Sequence, residues 1–170
     1  MNTLSNIPSD SIVSIIKSSY RTFSDEKYTE YEPIILTYDD PRMIKNLKFD
    51  WNLTKDALYY RKVWASLDHL VFKWDEGWIK SRRQLILTSE DCMSAIHLVP
   101  NEDSWELNVF QRSSNIDNAL QEDIAFLCDW LQQTVNSRSN MRIVPLPKIR
   151  LFISIPHTFG NQLNKVENGL

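Results

Sequence analysis

Five places in this 170-residue chain carry side chains whose types and spacing suit chemistry. Arg82 and Arg83 stand together before an apolar run. Two guanidinium forks side by side suit a dianionic phosphate monoester, and a solvated charge pair is the bland alternative. Arg112-Ser113 is a second cation, here beside a hydroxyl donor; a turn with one exposed charge gives the same pattern. Cys92 offers the strongest nucleophile among ordinary side chains, its thiolate favoured by a nearby arginine, although most free cysteines are simply small buried residues. Asp123 lies about 60° from Leu120 on a helical wheel, at the edge of an apolar stripe, where a carboxylate faces either a pocket or solvent. His157, after the last apolar strand pattern, is a catalyst or a hydrogen-bonded structural residue.

The elements that must position these groups follow from periodicity. Ser9 or Asp10 is placed to cap a helix presenting Ile12, Ile15, Ile16 and Tyr20 on one side. The first eight residues read as a loose arm, and the polar stretch from Thr22 to Glu32 as a loop. Pro33–Tyr38 reads as a strand closed by a turn at Asp39-Asp40-Pro41. Tyr60, Val63, Leu67, Leu70, Val71 and Trp74 have helical spacing from about Thr54, with Gly77 as the stop. Gln84–Thr88 suits a short buried strand and Ala95–Val99 another.

From Trp105 to Gln111 apolar residues alternate with a second face, and Arg112 ends that strand. A helix over Asp117–Val135 buries Leu120, Ile124, Leu127, Cys128 and Leu131, so Cys128 is core. Asn136–Asn140 is a polar loop. Lys148–Ile155 is a strand with Ile149, Leu151, Ile153 and Ile155 on one face, and the residues from 162 to 170 form a polar tail. Helices and strands mix without βαβ repetition, so one α+β domain spanning 1–170 is predicted.

Composition narrows the function classes. With 19 basic and 22 acidic residues the net charge is −3, which excludes a polycation that binds nucleic acid through bulk charge. Hydrophobic residues make up 42% of the chain, enough for a sizeable core and too many for a disordered one. Two cysteines without a CxxC motif form neither a disulfide framework nor a zinc site, so no metal is expected and a reducing cytoplasm is the natural compartment. No apolar run is long enough to span a membrane, and the first residues lack the pattern of a signal peptide.

The joint order of the motifs is more telling than any one alone. Leu107–Asn115 (LNVFQRSSN), followed by Glu122-Asp123-Ile124-Ala125, resembles the thymidylate synthase and deoxycytidylate hydroxymethylase superfamily. In that family a strand ends in Q/M-R-S-x-D and a helix follows that opens with P-F/Y-N/D-I. Cys92 lies twenty residues before Arg112, the family's spacing of nucleophile to arginine. Ser81-Arg82-Arg83 looks like its paired phosphate-binding arginines, and Asp39-Asp40-Pro41-Arg42 resembles a segment of shorter members. Ile155–Asn161 (IPHTFGN) is similar to S-x-H-x-Y-x-N. The likeness covers about Ser81 to Asn161.

What the resemblance implies is a thymidylate synthase-like mixed sheet with packed helices and a pyrimidine nucleoside monophosphate as ligand. Cys92 would add to C6 of the base; Arg82, Arg83, Arg112 and Ser113 would hold the phosphate; Gln111 and Asp123 would meet the base; His157 and Phe159 would meet the sugar. It also implies a homodimer, in which Arg82 and Arg83 cross to the partner's phosphate. The one-carbon donor would be 5,10-methylenetetrahydrofolate. Asp123 stands where uracil-specific members have asparagine and cytosine-specific members aspartate, which points to dCMP or CMP; a carboxylate accepts from the cytosine amino group and a protonated N3.

The sequence also departs from the family pattern. Asp91, Met93, Asn115 and Phe159 replace the usual Pro, His, Asp and Tyr. No glutamate lies between Pro33 and Asp75, where the family keeps a catalytic one, and the chain ends soon after the His157 motif. Two functions are therefore expected from the sequence. One is a C5 hydroxymethyl- or methyltransferase acting on a cytidine monophosphate. The other is an inactive relative that binds a nucleotide or a partner protein as an inhibitor or assembly factor. The compact arrangement allows a viral source and hence a host cytoplasm.

Overall fold

The computed structural model describes residues 1–24, 28–39, 48–138 and 144–159. Among these residues, eight strands form one mixed sheet and three helices cover one of its faces. The strands are β1 (Asn2–Ser5), β2 (Arg21–Ser24), β3 (Tyr28–Tyr31), β4 (Ile34–Tyr38), β5 (Ile86–Thr88), β6 (Met93–Pro100), β7 (Ser104–Asn115) and β8 (Leu146–Phe159). The helices are α1 (Ser9–Ser19), α2 (Ala57–Asp75) and α3 (Leu120–Asn136), with a 3₁₀ turn at Arg82–Gln84. None is long and apolar enough to cross a membrane among the described residues.

The sheet runs β1-β4-β8-β7-β6-β5. Its centre is the parallel pair β7 and β8, in register from Ser104 opposite Leu146 to Asn115 opposite His157. A parallel pair needs a crossover, and α3 supplies it. Alternation sends Leu107, Val109, Ile149, Leu151 and Ile153 into the core, each at most 2% exposed. From α3, Leu120, Ile124, Leu127, Cys128 and Leu131 all meet that face, as the 3.6-residue stripe predicts. The three segments expected to share one sheet, and the helix expected to pack on it, do so.

Several local expectations give way to tertiary context. The N-terminal arm is β1, recruited in parallel register against β4. Most of the stretch read as a loop from Thr22 is the hairpin β2–β3, because β8 continues past β4 and offers His157–Phe159 for β3 to pair. β5 is shorter than expected and only partly buried: it is the last strand on its edge, with Ile86 and Thr88 exposed. Pro8, rather than Ser9 or Asp10, occupies the N-cap of α1. Ile155 leaves the face of Ile153, because the in/out alternation of β8 slips there and Pro156 turns inward. The turn expected at Asp39-Asp40-Pro41 and the tail from 162 lie largely or wholly outside the described residues.

Aromatic residues join α2 to α3. Phe126 stands 4.7 Å from Tyr60, 5.3 Å from Phe49 and 5.9 Å from Trp64, ring centre to ring centre. The Trp130 indole N–H donates to Asp68 at 2.9 Å. Gly77, with φ +71°, terminates this unit in the left-handed region that favours glycine. Removing the hub of the cluster tests its weight. Phe126→Ala should cost about 3–5 kcal/mol in urea unfolding. A loss under about 1 kcal/mol would mean that the rings do not bind the two helices together.

Candidate functional site

Three of the residues singled out by sequence meet at one cavity of about 320 Å³: Cys92, Arg112 and Asp123. They come from three different elements. Cys92 is exposed at the tip of the β5–β6 hairpin, which the Ser89 N–H closes onto Ser94 O at 3.0 Å. Asp91 stiffens that tip: it accepts from the Ser89 hydroxyl and its own N–H donates back to it, both at 3.0 Å. The tip is fixed to β7 by the Arg112 N–H, which donates to Cys92 O at 3.0 Å. A register shift between Met93 and Ala95 accommodates this junction, with Met93 opposite Gln111 and Ala95 opposite Phe110.

Asp123 is held in the first turn of α3 and is only 5% exposed. Two donors fix its carboxyl plane. The Tyr60 hydroxyl, from α2, donates to Oδ1 at 2.7 Å. The Gln111 side-chain N–H, from β7, donates to Oδ2 at 2.7 Å. Burial penalises the charged form and raises the Asp123 pKa to about 6, the two hydrogen bonds pull it down, and Glu122 pushes it up. Burial beside Asp123 also drives the Tyr60 hydroxyl well above its ordinary range, so Tyr60 stays a neutral phenol.

Tyr60 is a residue of this cavity that sequence reasoning missed. Its helical spacing predicts a core position, and its ring is core at 3% exposure. Its hydroxyl reaches Asp123 only through the approach of α2 to α3, sixty-three residues away in sequence. Tyr59, also in the cavity wall, has its phenol raised by burial first and by Asp123 second.

The cavity is acidic. Asp56, Glu90, Asp91 and Glu122 join Asp123 in its wall, against one arginine among the described residues, Arg112. These carboxylates do not converge: no group of three or more His, Cys, Asp or Glu is placed to hold a metal among the described residues.

Other expected site residues lie elsewhere. Arg82 is exposed in the 3₁₀ turn, bonded to Asn101 Oδ1, and lines a separate cavity of about 410 Å³ with Trp105 and Arg138. Arg83 is exposed beside it. Ser113 is half-buried in β7 opposite Ile155 and is not in the wall of the Cys92 cavity. His157 and Phe159 form a ring cluster with Tyr28 at the end of β8, centroids 5.1–5.9 Å apart.

The sheet face opposite the helices is apolar at its middle. Phe110 and Phe152 stack there at 4.9 Å, and with Ile35, Ala95 and His97 they line a groove of about 360 Å³. No described helix lies on it.

The raised Asp123 pKa has a stability consequence. A carboxyl lifted from 3.8 to about 6 by folding contributes stability that is full below 3.8 and lost as pH rises through 6. Asp123→Asn removes that loss, and the Gln111 amide can turn to place Oε1, which has no donor among the described residues, against the new N–H. The variant should gain about 1–3 kcal/mol on wild type between pH 4 and 7, read by urea unfolding across that range. A constant difference between the two across pH would contradict the assignment. No protein-family model and no curated protein matches this chain.

Proposed function

We propose that the Cys92–Arg112–Asp123 cavity takes a cytosine nucleotide and that Cys92 attacks C6 of its ring, as the resemblance to thymidylate synthases and deoxycytidylate hydroxymethylases implies. The observation that carries this reading is the meeting of the three groups at one cavity, from positions eleven and twenty residues apart in β7, α3 and a hairpin tip. The volume stands at the small end of ligand pockets, enough for one ring and its sugar.

The chemistry is an addition. The Cys92 thiolate donates an electron pair to C6 and the C5–C6 π pair moves toward C5, which becomes nucleophilic. Protonation of C5 from solvent, loss of the original C5 proton and expulsion of the thiolate return the base with its C5 hydrogen exchanged. A folate stacked on the base needs room of its own, which a cavity of about 320 Å³ among the described residues does not offer, so the residues present do not fit that donor.

Among the described residues, one arginine stands against five carboxylates in the wall, too little cation for a phosphate dianion. In this reading the balance comes from Arg82 and Arg83 of a second copy, the two chains stacking through the Phe110–Phe152 face. A second reading has the same acidic wall and open apolar face on its side: an inactive relative that binds a partner protein and keeps the cavity as a remnant.

Titration calorimetry with dCMP and dUMP, together with release of tritium from C5 of labelled dCMP, separates the two. The proposed site should bind dCMP about ten- to a hundredfold tighter than dUMP and release tritium, and Cys92→Ala should abolish release while leaving binding within about threefold. Absence of binding for both nucleotides would favour the partner-protein reading. Phe110→Asp tests the assembly: it should shift a sedimenting dimer to monomer and remove the preference for dCMP over the unphosphorylated nucleoside. A wild-type monomer at high micromolar concentration would sink the shared phosphate site.

A further inference from the structure

A side chain takes its direction from the two peptide planes on either side of its Cα. Both planes that flank Cys92 are tied down. The carbonyl before it, Asp91 O, accepts from the Ser94 hydroxyl at 3.1 Å. The carbonyl after it, Cys92 O, accepts from the Arg112 backbone N–H at 3.0 Å, and the Ser94 hydroxyl stands 3.5 Å from it. Among the described residues, Ser94 alone brings a side chain to both carbonyls.

Ser94 holds that place because the strand breaks step there. Met93 pairs with Gln111 and Ala95 with Phe110, so Ser94 has no opposite number on β7. A bulge of this kind bends its strand and re-aims the side chains around it. Met93, on one side, is sunk in the core at 2% exposure and anchors the junction. From that anchor the Ser94 hydroxyl turns back over the tip. The Ser94 carbonyl also closes the hairpin, by accepting from the Ser89 N–H at 3.0 Å.

We infer that Ser94 is a positioning residue for the Cys92 nucleophile, its hydroxyl holding the hairpin tip so that the thiol meets the cavity. Cys92 enters here as the group that attacks C6, so the inference rests on the proposed function.

The effect is geometric and not electrostatic. The hydroxyl is neutral, and Ser94 is not in the cavity wall. What it removes is freedom. Glu90, Asp91 and Cys92 are all exposed, so packing restrains them little and hydrogen bonds must do so. Ser89 and Asp91 bond each other and stiffen the first half of the tip. They stop short of Cys92, and Ser94 with the Arg112 N–H completes the hold. A nucleophile displaced by about 1 Å loses on the order of a hundredfold in rate, so a hold of this kind acts on turnover.

The test compares Ser94→Thr with Ser94→Val. The two new side chains match in shape, differ by the hydroxyl, and both suit a strand. Release of tritium from C5 of labelled dCMP gives turnover, and calorimetry gives binding. Alkylation by iodoacetamide gives the intrinsic reactivity of the Cys92 thiol, since Cys128 is fully buried. Ser94→Val should lower turnover at saturating dCMP by about ten- to a hundredfold. Its dCMP affinity and alkylation rate should stay within about threefold of wild type. Ser94→Thr should keep all three within about threefold. Equal turnover in the two variants overturns the inference. So does a loss shared by binding or alkylation, which would give Ser94 a part in the fold or in thiol chemistry rather than in aim.

Amide hydrogen exchange in the ligand-free protein supplies a readout that needs no nucleotide. The Arg112 N–H closes on Cys92 O, so its protection reports the tip. It should fall about fivefold in Ser94→Val, the strength of one hydrogen bond, and not in Ser94→Thr, while the amides of α3 keep theirs. Unchanged protection at Arg112 in Ser94→Val overturns the inference whatever the nucleotides do. A wild type that binds neither nucleotide, or binds dCMP without releasing tritium, counts against the proposed function; exchange at Arg112 then still decides whether Ser94 sets the place of the thiol. If Ser94→Val does not fold, Ser94→Ala removes the same hydroxyl without a branch and is held to the same limits.

Discussion

The burial of α3 on the parallel pair β7 and β8 is the constraint on which the rest of the molecule depends. Nine residues of that helix are buried, more than in either other described helix, and the strands beneath it send Leu107, Val109, Ile149, Leu151 and Ile153 into the same core. Parallel strands cannot be joined by a tight turn, so the helix that crosses between them must lie on them. Once it does, Phe126 and Trp130 face α2, and the aromatic cluster and the Trp130–Asp68 bond fix the second helix against the first. The same seating carries Asp123 to a place where water has been removed.

Burying a carboxylate is costly, and among the described residues the structure answers with two charge-assisted hydrogen bonds rather than a salt bridge. An arginine on the carboxylate would have pulled its pKa down and fixed the ionised form. Neutral donors leave the penalty of burial dominant, so the group titrates near pH 6. A buried group with that property at a cavity is the kind of residue that distinguishes ligands by their own donors and acceptors. The acidic wall around it works in the same direction: it favours a neutral or proton-sharing ring, and leaves any phosphate to be met by cations from elsewhere.

The two faces of the sheet divide the labour. One is sealed by helices and holds the core, and the other presents stacked Phe110 and Phe152 in an apolar groove. Both sets of residues come from the same strands, alternating along β7 and β8, so a change that shifts register would exchange core for surface at every position.

The sequence by itself determined the α+β class, the stripe of α3, the interior faces of β7 and of β8 as far as Ile153, and the core position of Cys128, because these depend on local periodicity. It also named Cys92, Arg112 and Asp123. The strands β1, β2 and β3 were illegible because short polar segments become strands only when an edge exists to receive them. The switch of face at Ile155 was equally hidden, since alternation cannot reveal where a strand breaks step. Only the tertiary structure decided that Tyr60 and Gln111 would hold Asp123, that five carboxylates would share its cavity, and that Arg82, His157 and Phe159 would stand apart from it. Those are distances between side chains far apart in sequence, set by how helices and strands pack, and no local pattern encodes them.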